Sequence, residues 1–309
     1  MFFPRFLLLA LPCCVGLLAL GGCGGGDQKG PSLKVSYENA LKLTLPADRV
    51  RALVRVSEQQ RAAGDVAGAS TSIEAAAKAC AELGDDDPAL KADALNSVAS
   101  AQAKIGLTAA AKNLLKDVRR AAEAIPEPAS KAKALARLAT TYGADLKEPD
   151  TGIVYLRGAQ AAAQEITDPA AQAAALAQVA AAAHALGDTA TADQIVETAL
   201  SQARGLADAR QQAEALGELA AQLSQMGDAE QARTVLTEAE QAAGKVEDLM
   251  RRAYAQIYLA EKRKAIGDTG GAFKLLDAAR DSADKAPDKS LSGPIHQEID
   301  RLRGRWTAG

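Results

Sequence analysis

The sequence predicts an all-α solenoid, and three observations carry that expectation. A block of about 40 residues recurs six times, starting near Pro46, Pro88, Pro128, Pro169, Ala209 and Leu249. Four of the six blocks place Gly-Asp at the same internal point: Gly64-Asp65, Gly187-Asp188, Gly227-Asp228 and Gly267-Asp268. On both sides of that point, small and apolar residues recur at helical spacing. Such a period means stacked helix pairs, which lay out surface rather than enclose a catalytic pocket.

The chain opens with Arg5, its only early charge, and an apolar run from Phe6 to Leu20. A positive start, about 15 apolar residues and small residues before a break read as a secretory signal over residues 1–22. The run is shorter than the roughly 20 residues of a membrane-spanning helix. Leu20-Gly21-Gly22-Cys23 resembles the lipobox of bacterial lipoproteins. The resemblance implies cleavage before Cys23, acylation of Cys23, and an extracytoplasmic protein anchored in the membrane by its lipid. In Gram-negative members an Asp after the Cys often retains the protein in the inner membrane. Gly24 stands there instead, which favours the outer membrane. Residues 23–45 then read as the lipidated Cys and a polar tether, with Tyr37 to Leu45 a short amphipathic lid on the first block. Cys13 and Cys14 fall in the discarded segment, so Cys80 is left without a disulfide partner and reads as a small core residue.

Residues 46–286 hold the six blocks. In the fifth, Asp208 precedes the first helix as an N-cap, its carboxylate facing free backbone N–H groups. Elsewhere the junction reads Asp87-Pro88, Glu127-Pro128 and Asp168-Pro169, with proline where it loses no hydrogen bond. Leu216, Leu219, Ala220 and Leu223 share one helix face. Gly227 ends that helix in the left-handed conformation, and Asp228 caps the next. Ala232, Leu236 and Ala239 form the second buried stripe. Two helices of about 17 residues joined by so short a turn run antiparallel.

These offsets resemble the tetratricopeptide repeat (TPR). Counted from the turn glycine, block four supplies Leu176, Val179, Ala180, Ala183, Ala192, Val196 and Ala199 at the matching positions. Blocks one and two follow suit, with Leu53, Val56, Ser57, Ala69, Ile73 and Ala76, and with Leu95, Val98, Ala99, Ala111, Leu115 and Val118. Block six keeps Leu259, Ala260, Ala272, Leu276 and Ala279 but departs at Gln256 and Arg263. Block three keeps Leu135, Leu138, Ala139 and Tyr142 and then reads Lys147-Glu148-Pro149-Asp150, so the glycine turn is expected to be lost and the solenoid to bend. The resemblance implies a right-handed α-solenoid of about six TPR-like helix-turn-helix repeats. The period near 40 is closer to HEAT-like and armadillo-like repeats than to the TPR period of about 34. The Gly-Asp turn and the small residues favour the TPR reading. Residues 287–309 read as a capping helix and tail, with Ile295, Ile299, Leu302 and Trp306 on one face.

The formal net charge is −3 and no basic stripe appears, so nucleic acid is not an expected partner. No phosphate-binding loop, nucleophile elbow, zinc-protease motif or paired Cys-x-x-Cys is present. No enzyme activity, cofactor or metal is expected. Asp85-Asp86-Asp87 reads as a solvated loop whose last residue caps a helix. His184 and His296 read as groove or surface residues.

In the TPR family the first helices line the concave face. Carrying over the exposed offsets gives candidate protein-binding residues. They are Arg51, Glu58 and Arg61 in block one, and Asp93, Asn96, Ser100 and Lys104 in block two. Block three adds Lys133 and Thr140. Block four adds His184 on a wall of Ala174, Ala177, Ala181 and Ala185. Block five adds Glu214 and Gln225, and block six Tyr254, Glu261 and Lys264. The family's clamp for a C-terminal carboxylate is not reproduced, because Val54 and Glu58 occupy its first two positions. The expected function is a lipid-anchored scaffold for a protein or peptide partner. The alternatives are an assembly factor for a pilus, secretin or outer-membrane complex, and an enzyme or small-ligand binder in the groove.

Overall fold

A computed structural model describes residues 32–288, 290 and 292–307. The signal segment, the lipobox and Cys23 lie outside the described residues. Among the described residues all regular structure is helical. Helix α1 (Leu33–Leu41) is followed by six antiparallel pairs. These are α2 (Pro46–Ala62) with α3 (Val66–Ala81), α4 (Pro88–Lys104) with α5 (Thr108–Glu123), and α6 (Pro128–Thr140) with α7 (Pro149–Gln164). Next come α8 (Pro169–Ala185) with α9 (Thr189–Arg204), α10 (Ala209–Gln225) with α11 (Ala229–Gly244), and α12 (Leu249–Ala265) with α13 (Thr269–Lys285). Helix α14 (Ser292–Thr307) closes the stack against α12 and α13. The chain is an all-α solenoid of TPR-like pairs.

The turns are built as their residues require. Gly64, Gly106, Gly187, Gly227 and Gly267 all have φ between 80° and 92°, the region a side chain disfavours. Asp65, Asp188, Asp228 and Asp268 each accept a hydrogen bond from the backbone N–H three residues on. Gly106 makes the same turn without that cap, because Leu107 follows it. The expected interior stripes are buried, including Leu216, Leu219, Ala220, Leu223, Ala232, Leu236 and Ala239. The two departures in the sixth pair are answered locally. Gln256 accepts from Ser282 Oγ at 2.9 Å, and Arg263 bonds Glu240 at 2.6 Å and Asp268 at 2.9 Å.

The third pair corrects the expectation of a lost turn. Lys147 sits at φ 61° and does the work of the glycine. Counted from Lys147, Gly152, Leu156 and Ala159 recover the second-helix stripe, and all three are buried. The extra residue lies upstream, in a π-helical segment at Thr141–Asp145, where Leu146 N–H reaches back five residues to Thr141 O at 3.0 Å. Here one inserted residue has been absorbed as a bulge. Gly143 and Gly152 leave room for Leu186 of the next pair, and Tyr142 stacks on Tyr155 at 5.3 Å.

Helix α1 overlaps the expected lid but begins earlier and ends at Leu41: it starts on a Ser32 cap, covers Leu33–Leu41, and packs on α2 through Ala40 and Tyr37. Cys80 is buried as expected, and burial pushes its thiol up to about 12. Such a thiol is a poor nucleophile. Asp85 pairs with Lys91 at 2.6 Å, and Asp87 caps α4 through Leu90 N–H at 2.9 Å. Trp306 packs edge-on against Phe273 with ring centres 6.0 Å apart, as a capping residue does.

Candidate protein-binding face

The first helices α2, α4, α6, α8, α10 and α12 touch one another in succession. Each second helix packs on its own first helix and on the next first helix, with no comparable contact between second helices. The layer with continuous contact is the inner one, and the second helices splay outward with grooves between them. The candidate residues all lie on first helices, so the carried-over offsets do place them on the inner layer.

What the structure does with them is uneven. Several are spent on holding adjacent repeats together. Asp93 pairs with Arg137 across α4 and α6. Ser100 Oγ donates to Asp145 at 2.6 Å, with Lys104 4.0 Å from the same carboxylate. Asn96, expected on the exposed face, is buried and accepts from Thr141 Oγ1 at 3.2 Å. Glu261 meets Arg305 of α14 at 3.4 Å. Others pair within their own repeat: Arg51 with Asp48 at 2.6 Å, Glu214 with Arg210 at 2.7 Å, and Lys264 with Thr269 at 3.1 Å. Glu58, Arg61 and Tyr254 are exposed.

Four candidates converge. Lys133 and Thr140 of α6, His184 of α8 and Gln225 of α10 line one groove of about 480 Å³. Its floor includes Ala181 and Ala185 of the expected alanine wall with Ala136 and Ala182 beside them, whereas Ala174 does not line it and Ala177 is buried in the core. Thr140 Oγ1 is turned back to Ala136 O at 3.1 Å. Arg137, Gln178 and Gln222 complete the polar rim. A second hollow of about 300 Å³ between α4 and α6 shares Lys133 and Arg137 with the first. The inner face therefore carries two neighbouring hollows that share Lys133 and Arg137, with side chains able to donate hydrogen bonds along their edges.

Two classes of residue were missed by sequence reasoning. Asp145 lies two residues before the turn, as Lys104 and Gln225 do, but only once the turn is placed at Lys147. Gln178, Glu218 and Tyr258 share another offset outside the exposed set, nine residues ahead of the turn, and Arg137 matches it once the inserted residue of the π segment is discounted. That offset faces the neighbouring first helix. Between α10 and α12, Glu218 accepts from Lys262 at 2.5 Å and from Tyr258 at 3.4 Å. Burial pushes Glu218 up, yet the Lys262 hydrogen bond and charge outweigh it and hold the carboxyl below its usual range. Gly217 gives Tyr258 and Leu259 the space to approach.

Among the described residues, no cluster of three His, Cys, Asp or Glu could hold a metal ion, and no helix is long and apolar enough to cross a membrane. The sequence matches no protein-family model and no curated protein. The fold is similar to several solved structures at low sequence identity. Ton1535 from Thermococcus onnurineus NA1 aligns with 86% of this chain and 94% of its own, at 14% identity and a TM-score of 0.41. BtubC (BKLC) from P. vanneervenii aligns with 73% of this chain and 90% of its own, at 18% identity and a TM-score of 0.36. A putative Podosopora anserina kinesin light chain with TPR-like repeats aligns with 64% of this chain and 96% of its own, at 18% identity and a TM-score of 0.34.

Proposed function

We propose that this chain is a lipid-anchored, extracytoplasmic scaffold that binds a protein or peptide partner along the inner face of its TPR-like solenoid. The observation that carries the binding role is the groove over α6, α8 and α10, where Lys133, His184 and Gln225 meet above an alanine floor. Small floor residues let a main chain approach closely, and the rim supplies donors for its carbonyl and carboxylate groups. The proposal assigns no catalytic step to the chain. Anchoring rests on Leu20-Gly21-Gly22-Cys23 and the apolar run before it.

Affinity purification from detergent-solubilised envelopes, followed by crosslinking and mass spectrometry, tests the binding role. A K133A/H184A/Q225A variant is expected to lose the partners that the unaltered protein retains. An unchanged partner set, with unchanged thermal stability, overturns the inner-face assignment. For the anchor, a Cys23→Ser variant is expected to leave the membrane fraction, and its retention there overturns lipidation.

A further inference from the structure

The described residues carry eight large apolar side chains that stand exposed, and four of them fall between residues 35 and 45. Val35 and Leu41 belong to α1, and Leu43 and Leu45 to the turn that follows it. The other four, Val66, Leu90, Val154 and Tyr254, are scattered over four different helices. The clustered leucines are not loose ends. Arg49 Nε donates to Leu43 O at 2.9 Å, and its Nη2 to Thr44 O at 3.3 Å. Its third contact, to Glu82 at 2.7 Å, ties the turn to the first repeat. On the other side Tyr37 and Ala40 hold α1 on the core. A polar clamp thus fixes this turn while Leu41, Leu43 and Leu45 point away from the core. Lys34 and Lys42 are exposed beside them, with Glu38 between.

An apolar edge flanked by lysines at the membrane-proximal end of an anchored protein has an obvious solvent other than water. From Cys23 to Ser32 the chain spans at most about 30 Å, so a lipid on Cys23 keeps α1 within reach of the bilayer surface. We infer that the α1 edge is a second membrane contact, with Leu41, Leu43 and Leu45 seated at the headgroup boundary and Lys34 and Lys42 facing anionic lipid. This rests on the anchored reading above. The diacylated Cys23 that the lipobox resemblance implies is sufficient for attachment, and the second contact would fix the orientation of the solenoid on the bilayer.

Full-length acylated protein reconstituted into phosphatidylethanolamine and phosphatidylglycerol vesicles, with brominated lipid as quencher, tests this. An L43W variant in a W306F background is expected to show a blue shift and loss of emission on vesicles. A V154W variant in the same background, on α7, is expected to show neither. If the protein floats with vesicles but L43W is unquenched, the edge contact is overturned and the anchor stands. If the protein does not float, both are overturned. If L43W emission shifts with protein concentration in the absence of vesicles, the edge meets a second copy, and the membrane assignment is overturned.

Discussion

At Gly152 the repeat has no room for a methyl group. A Cβ there would lie 2.3 Å from Leu186 Cδ2 and 2.8 Å from the carbonyl oxygen of Ala139. The leucine can yield, but the backbone oxygen cannot. A Gly152→Ala substitution should therefore cost about 1–3 kcal/mol. It would be read from the denaturant midpoint, and adding Leu186→Ala should recover only part of the loss. Lys147 presents the opposite case, a side chain carried in the left-handed region that five glycines occupy elsewhere. Lys147→Gly should stabilise by about 1 kcal/mol, whereas Gly187→Ala should destabilise by about the same amount. Protonation gives a third handle. The Asp268 carboxyl is held below its ordinary value of 3.8, first by the Gly271 N–H and then by Arg263. Its contribution to stability is fully present above 3.8 and is lost as the pH falls through the lower folded-state value. The stability gap between the unaltered protein and Asp268→Asn should accordingly narrow below pH 3.8 and stay constant above it.

At the scale of helices, the repeat's own grammar was legible and its irregularities were not. Gly-Asp turns, proline starts and alanine stripes name local conformations, so pairs such as α8 with α9 and α10 with α11 follow directly from the sequence. The π segment does not, because no residue type announces it. Its only trace is arithmetic: the third repeat is one residue longer than the fourth, and Lys147 rather than a glycine marks the turn. Placing the turn by chemistry alone shifted the register, and Asp145 was passed over. The inner-face residues were legible as positions but not as partners. Whether Asp93 faces solvent or Arg137 depends on how α4 meets α6, which is a matter of packing between repeats. If the bulge is an absorbed insertion, removing one residue should mend it. Deletion of Ala144 is expected to leave the protein folded, join α6 into a continuous helix, and slow amide exchange over residues 141–146. Faster exchange there, or loss of the fold, would count against the insertion.

Across the whole molecule the apolar core is not one body. One cluster fills the first repeat and much of the second and reaches Leu138 of α6, and the other starts at Ala92, Ala121, Ala122 and Ile125 of the second repeat and runs to Ile295, Ile299 and Leu302 of α14. They interleave where α4 and α5 meet the third repeat, and polar side chains add to the apolar contact there: Asp93 with Arg137, Asn96 with Thr141, Ser100 and Lys104 with Asp145, and Lys112 of α5 with Glu148. In a solenoid each repeat is stabilised by its neighbours, so a weakened junction lets the two sides melt separately. Asp145 is the natural place to cut, being largely buried and shared between two partners of α4. Asp145→Ala should remove about 1.5–3 kcal/mol of coupling. It should also lower the apparent denaturant slope or split the transition in two. Glu218→Ala removes a comparable polar contact between α10 and α12 but lies within one continuous core. It should shift the midpoint and leave the transition single. Equal broadening in both variants would show that cooperativity is limited everywhere along the stack and not at this junction. If only Asp145→Ala splits the transition, the candidate groove over α6, α8 and α10 belongs to a body that stays folded when the first two repeats have opened. A partner held there would then stabilise the upper transition and leave the lower one unmoved.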